Sequence, residues 1–131
     1  MYSDKSSINE ALRATIRLLK DAQRQLRLGN NEAVMMNVRK ALTNYLLVGM
    51  KKGERTLDSS LRDDWVNRSP TDTKEIYKEI FLRMQEGLRA VLKISDKFFH
   101  DDNTLMMAPL RKDAEYVYFN VAYIINRFVE Q

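Results

Sequence analysis

The sequence feature that most constrains the fold is an apolar pattern of helical period in the last segment, 103–131. After Pro109, apolar residues recur at steps of three and four, at Leu110, Ala114, Val117, Val121, Ile124 and Phe128. This spacing places them on one face of a helix. The apolar surface is widened by Tyr116, Tyr118, Phe119, Tyr123 and Ile125. We therefore expect other helices, from this chain or from a second copy, to enclose this helix.

Residues that break helices are rare elsewhere, since the 131 residues include only four glycines and two prolines. Three more segments have apolar residues at helical spacing. The predicted helices are Ile8 to Gly29, Asn30 or Asn31 to Gly53, and Asp72 to about Lys97. Glycine suits the two boundaries at Gly29 and Gly53 because it accepts the left-handed conformation past a helix end.

The segment 54–71 is polar, and its apolar residues Leu57, Leu61 and Trp65 are four positions apart. A short helix near Ser59 to Asn67 is therefore predicted. Together these patterns predict an all-α protein with a single domain over residues 1–131. The expected architecture is an up-and-down bundle of four long helices plus one short connecting helix, with residues 1–6 frayed.

The composition excludes several classes of site. The chain contains no cysteine, so disulfides, thiolate metal sites and cysteine nucleophiles are excluded. We expect a cytoplasmic protein without a membrane partner, because no apolar run approaches the ~20 residues needed to cross a bilayer and the polar start does not resemble a signal peptide. The net charge of +4 and the isoelectric point of about 9.4 favour an acidic partner, such as RNA, DNA or an acidic protein surface, without requiring one.

The first predicted helix carries a line of cations. They recur at steps of four and three, at Arg13, Arg17, Lys20, Arg24 and Arg27. Because they share one helix face, they could contact successive phosphates of a nucleic acid. The same arrangement is typical of the solvated side of an amphipathic helix, so both interpretations stay open.

His100 is the only histidine, and it lies between a helix end and a loop, where it could act as an acid or base near neutral pH. The alternative is a surface histidine without a role. No metal site is predicted, because Asp101 and Asp102 are adjacent to His100 and no distant histidine or cysteine completes a set of ligands. The motifs of phosphate loops, zinc helices and nucleophile elbows are absent, and no cofactor is predicted. Any catalysis would have to involve His100.

The aromatic residues of the last helix also permit two interpretations. Tyr116, Tyr118, Phe119 and Tyr123 could stack on bases. Rings at helical spacing are more typical of a core or of a dimer interface.

Several segments occur in a recognisable order. Residues 22–47 form a predicted helix–turn–helix whose second helix carries the run Arg39-Lys40-Ala41-Leu42. Later, His100 precedes a loop, and the helix after it starts with Asp113-Ala114-Glu115 and ends with Ile124-Ile125-Asn126-Arg127-Phe128. This order resembles that of HEPN-type helical domains. A tetratricopeptide-like helix pair would also explain the first segment, although a second repeat is missing.

The resemblance implies a bundle of four or five helices that often dimerises. Many HEPN-like proteins are metal-independent ribonucleases of toxin–antitoxin, phage-defence or RNA-processing systems, and others are non-catalytic RNA-binding or adaptor domains. Active members have an arginine, then four to six residues, then a histidine. In such a site the histidine handles protons and the arginine stabilises the charged phosphate.

This chain departs from that pattern, since Ser95, Ile94 or Lys93 stands where the family arginine is expected. Lys93 keeps the charge but lacks the planar fork of arginine, and Arg89 lies about one turn farther away. We therefore predict a homodimeric, non-catalytic or weakly catalytic protein that binds RNA or a cognate partner protein in a defence, toxin–antitoxin or regulatory system. The alternatives are an active metal-independent ribonuclease that uses His100 with Lys93 or Arg89, and a dimeric helical scaffold or adaptor without nucleic acid.

Overall fold

The computed structural model describes the backbone from Tyr2 to Val129 and the side chains from Glu10 to Val129. This part of the chain is mostly helical, as predicted. Its α-helices are α1 (Tyr2–Arg27), α2 (Asn31–Ala41), α3 (Ser59–Arg68), α4 (Lys74–Ser95) and α5 (Arg111–Val129). The remaining elements are a π-helical turn (Leu42–Leu46), an antiparallel hairpin of β1 (Gly49–Lys51) and β2 (Glu54–Thr56), and a 3₁₀ turn (Thr71–Thr73).

Helix α5 lies at the centre of the core, packed against α1, α2 and α4. Its buried face consists of Ala114, Val117, Tyr118, Val121, Ile125 and Phe128. The sequence pattern placed Ile124 on this face, but Ile125 is the more deeply buried of the two. An α-helix turns every 3.6 residues, so a face drawn with a seven-residue repeat drifts by about 20° per repeat. Leu110, predicted as the start of the stripe, precedes α5 and is exposed.

The second helix ends earlier than predicted. Helix α2 stops at Ala41, and the residues predicted as its last turn form the β1–β2 hairpin. Lys52 and Gly53 make the two-residue turn with φ values of 55° and 80°, as a type I′ turn requires. At Gly49, a β-carbon would collide with Thr56 Oγ1, so any larger residue there would force the Thr56 side chain to move. The prediction of a helix up to Gly53 was wrong.

The π-helical turn changes which residues face the core after α2. Val38 and Leu42 are buried, and the apolar pattern of the second predicted helix continues through Tyr45 and Leu46. In the wider π turn Leu46 faces the core and Tyr45 is exposed. Of these two residues predicted for the core, Tyr45 thus faces solvent.

Trp65 anchors α3 to α4 and α5. Its fully buried ring stacks on Tyr77 with 5.3 Å between centroids and meets the edge of Phe128 at 5.5 Å. Its Nε1–H donates a hydrogen bond to the backbone oxygen of Tyr77 at 2.8 Å. The short helix predicted near residues 59–67 is therefore confirmed.

The remaining boundaries differ from the predictions by a few residues. Helix α1 begins at Tyr2 rather than at Ile8, since no glycine or proline interrupts the intervening segment. Met1, which belongs to the segment predicted to be frayed, lies outside the described residues. Helix α4 occupies most of the predicted range 72–97. Among the described residues, no helix combines the length and the apolar character that crossing a bilayer requires.

Candidate nucleic-acid interface

Helix α1 has one face in the core and one charged face in solvent. Leu12, Leu19, Ala22 and Leu26 are buried. The cations predicted to contact nucleic acid are all exposed: Arg13, Arg17, Lys20, Arg24 and Arg27. With a rise of 1.5 Å per residue, this basic line is about 21 Å long. One extended ligand can therefore contact all five side chains.

The carboxylate of Asp21 lies close to Arg24 of the basic line. It accepts a hydrogen bond from Asn37 Nδ2 at 2.7 Å and forms an ion pair with Arg24. The hydrogen bond from Asn37, followed by that from Arg24, lowers the pKa of the Asp21 carboxyl. Asp21 therefore stays ionised and partly neutralises Arg24. Between described side chains, no ion pair involves the other four cations of the line.

The basic line runs into a groove of about 520 Å³ at its N-terminal end. Arg13 and Arg17 of α1 line one wall of this groove. The other wall is lined by Asn44 and Tyr45 of the π turn and by Val48. The groove thus brings an exposed aromatic ring next to two cations of the line.

The sequence pattern did not predict Tyr45 as part of a site, because it assigned this residue to the apolar face of the second helix. The ring is 37% exposed. One signal could have identified it. Tyr45-Leu46-Leu47-Val48 are four consecutive apolar residues, and a regular helix cannot turn four successive side chains toward one core.

Of the three residues predicted as catalytic, Arg89 and Lys93 are four positions apart on α4, and His100 lies beyond the end of that helix. His100 is exposed, and its backbone N–H donates to Thr104 O at 2.8 Å. Lys93 is exposed on α4. Arg89 is directed to the hairpin, where it donates to the backbone oxygen of Arg55 and pairs with Glu54 at 3.5 Å. In the described part of the chain, no hydrogen bond or ion pair joins any two of the three side chains.

The loop after His100 is held by its own polar groups. Thr104 donates to Asp102 Oδ1 from its hydroxyl at 2.6 Å and from its backbone N–H at 3.1 Å. These two hydrogen bonds lower the pKa of the Asp102 carboxyl. Asn103 adopts a φ of 67°, in the left-handed region that asparagine tolerates better than most residues. These contacts favour the observed conformation of the loop beside the histidine.

A buried arginine joins α2 to this loop and to the end of α4. Arg39 is 6% exposed, and its Nη1 donates to Ser95 Oγ at 2.9 Å and also to Asp96. Its Nε donates to Asn103 Oδ1 at 3.0 Å, and the guanidinium lies 5.6 Å from the centroid of the Phe99 ring. Since the protein itself supplies these partners, we assign Arg39 to the fold and not to ligand binding. In the sequence, Arg39 is distinguished only as part of the run 39–42.

Helix α5 presents a second exposed surface, which we call the aromatic face. Tyr116, Phe119 and Tyr123 are 44%, 57% and 79% exposed. They recur at steps of three and four and so share one side of the helix, away from the buried residues. The described part of the chain covers these rings only in part. The last helix was expected to be enclosed by other helices. Within the described chain this is true only for the face of α5 that points to the core.

In the described residues, neither metal-binding side chains nor similarity to a known protein helps to assign a function to this site. Within residues 10–129, no three carboxylate or imidazole side chains are grouped so that they could hold a metal ion. The chain matches no protein-family model, and it has no significant match among curated proteins or solved structures. The resemblance to HEPN-type domains therefore stays a hypothesis that depends on the residues quoted for it.

Proposed function

We propose that this protein binds RNA through the basic line of α1 and that its helices form an up-and-down bundle of the HEPN type. The observation that carries the proposal is the exposure of all five predicted cations on one helix face. Cations spaced along a rigid helix neutralise successive phosphates, and the released counterions supply the affinity. Such binding would suit a defence, toxin–antitoxin or regulatory system, as the resemblance implies.

We further propose that bound RNA is not cleaved efficiently. Cleavage without a metal needs a histidine to handle protons and a cation to stabilise the charged phosphate, both within reach of the same phosphate. The engagement of Arg89 by the hairpin and its lack of contact with His100 support this proposal. The exposed Lys93 supplies charge without the paired donors of arginine.

The basic line should account for most of the RNA affinity. Replacing Lys20, Arg24 and Arg27 with alanine removes about three phosphate contacts, which lowers the slope of log K against log salt by about two for a single strand. At ~0.1 M salt this corresponds to an affinity about 100-fold weaker. Fluorescence anisotropy with a labelled single-stranded RNA over a salt series measures both quantities.

The matched control removes three exposed cations that line a different groove, between the hairpin, α3 and α4: Lys51, Arg62 and Lys78. Both triple variants lose the same formal charge. Among described side chains, Arg62 and Lys78 of the control set are ion-paired, and Arg24 is the paired cation of the α1 set. If the control weakens binding as much as the α1 variant, overall charge and not the basic line is responsible. The same RNA, incubated with a chelator, should be recovered intact. Cleavage that His100→Ala abolishes would instead establish the ribonuclease alternative.

We also propose that the protein is a homodimer in which the aromatic faces of two copies pair antiparallel. Tyr116 and Tyr123 lie at equal distances in sequence from the midpoint between Phe119 and Asn120. Two-fold pairing would therefore place Tyr116 beside the second copy's Tyr123 and the two Phe119 rings near the axis. From their exposed fractions, the three rings would contribute roughly 350 Å² per copy, almost half of the ~800 Å² that each partner buries in a stable interface.

The substitution Phe119→Glu should convert this dimer to a monomer. It places two carboxylates close together near the axis, where burial removes much of their hydration. Light scattering coupled to size exclusion, over a range of protein concentrations, measures the change in mass. The control is Leu82→Glu, at a side chain of α4 that is 49% exposed, which should leave the dimer intact. A wild-type protein that stays monomeric at high concentration contradicts the dimer and leaves this face to a different protein partner.

A further inference from the structure

We infer that the groove beside Tyr45 binds an unpaired base, so that the RNA held by the basic line is single-stranded there. This inference depends on the proposed RNA binding and adds a substrate class to it. The groove is lined by Arg13 and Arg17 on one side and by Asn44, Tyr45 and Val48 on the other. It is therefore continuous with the basic line and also contains groups of a different kind.

The charges in the groove favour a base over a phosphate. Glu10 and Asp58 line it together with Arg13 and Arg17, so that two carboxylates balance two guanidinium groups. A phosphate in the groove would be repelled by the two carboxylates as well as attracted by the two arginines. An uncharged base has both donors and acceptors on its edge. Carboxylate and amide oxygens accept hydrogen bonds from base amino groups, and guanidinium groups donate to base oxygens and nitrogens.

The ring of Tyr45 supplies the stacking surface. It is 37% exposed, and the neighbouring Val48 is 50% exposed, so an apolar patch faces the groove opposite the two arginines. Stacking of a base on an aromatic side chain contributes to binding whatever the base, because every base has a flat π surface. The ring belongs to the π turn, a backbone irregularity that is frequent at functional sites.

The geometry also explains why a single strand is needed. A groove of about 520 Å³ can receive one base that has left its stack, whereas the paired bases of an RNA duplex are stacked on each other. The rest of the strand would extend along Lys20, Arg24 and Arg27, which lie farther along the same face of α1. Phosphates would thus contact the C-terminal part of the line, and one base would enter the groove at the N-terminal part.

The test uses fluorescence anisotropy of the full chain with two fluorescein-labelled probes of equal length, a single-stranded RNA and an RNA duplex. Tyr45→Ala should weaken binding of the single strand about 10-fold to 100-fold, as expected for the loss of one stacked base, and should leave duplex binding within about twofold. Tyr45→Phe keeps the ring and should bind the single strand within about twofold of wild type. Circular dichroism of each variant verifies that the exposed substitution leaves the fold intact.

The outcomes separate the inference from the function on which it depends. If wild type binds both probes and Tyr45→Ala binds the single strand as tightly as wild type, the inference is overturned and RNA binding stands. It is also overturned if Tyr123→Ala, at the exposed tyrosine of the aromatic face, weakens single-strand binding and Tyr45→Ala does not. If wild type binds neither probe, the proposed function fails and the inference fails with it.

Discussion

Replacing Trp65 with alanine is expected to destabilise the protein by about 3–5 kcal/mol, the range measured for truncating large buried aromatic side chains. The ring is fully buried between Tyr77 and Phe128, so its removal leaves a cavity where α3, α4 and α5 meet. It also removes the indole hydrogen bond to the Tyr77 backbone oxygen. Since folded domains are stable by only ~5–15 kcal/mol, this single change could leave the protein partly unfolded.

Unfolding in guanidinium chloride, followed by far-ultraviolet circular dichroism, measures this loss. Trp65 is the only tryptophan, so its fluorescence cannot report on the variants. Trp65→Phe is the control: it keeps an aromatic ring and loses the hydrogen bond together with part of the ring volume, and it should cost about 1–2 kcal/mol. All samples need the same protein concentration, because association of the folded state shifts apparent stability. A loss below ~1 kcal/mol for Trp65→Ala, at unchanged denaturant slope, would mean that α3 is not anchored by this ring.

Replacing Arg39 with methionine should cost about 2–3 kcal/mol. Breaking a buried ion pair costs ~3–5 kcal/mol where the remaining charge stays buried. The Asp96 side chain is 51% exposed and can regain hydration, which reduces the loss. The rest of the cost comes from the buried Ser95 hydroxyl and the Asn103 amide oxygen, which both lose the guanidinium group as hydrogen-bond donor. Lysine at position 39 keeps the charge without the fork of donors and should recover only part of this stability.

Two measurements separate the role of Arg39 from general destabilisation. Amide hydrogen exchange at His100 and Asn103 should accelerate in Arg39→Met, because their backbone hydrogen bonds lie in the loop that Arg39 holds. Amides in the middle of α1 should change only with global stability. Asp96→Asn, which alters the exposed partner alone, should cost less than about 1 kcal/mol. Arg39→Met with wild-type stability and unchanged exchange in the loop would show that these contacts contribute little.

The buried face of most helices could be predicted, because it follows from the local periodicity of apolar residues. The buried residues of α1 and α5 recur with the spacing visible in the sequence, and Trp65 was correctly assigned as an anchor of a short helix. The cations of the basic line face solvent for the same reason, since they alternate with the buried residues of α1. The candidate interface could thus be predicted as a helix face, although its ligand could not.

The hairpin was missed because glycine has the same local signature in two structures. Gly53 with a positive φ ends many helices, and it also completes a type I′ turn. What distinguishes them here is the pairing of residues 49–51 with 54–56, together with the close approach of Gly49 to Thr56. Because the hairpin replaced the end of the predicted helix, the groove at Tyr45 could not be predicted either.

The sequence by itself determined that this chain is helical, where most of its helices lie and which face of each is apolar. Such properties follow from the period of the α-helix and from the backbone preferences of neighbouring residues. Only the tertiary structure decided that Arg39 is buried, that Tyr45 faces a groove and that Arg89 turns to the hairpin. The partners of Arg39 lie 56 and more positions away in the chain. A buried charge is tolerated only where such distant groups compensate it, and no local pattern records which groups will meet.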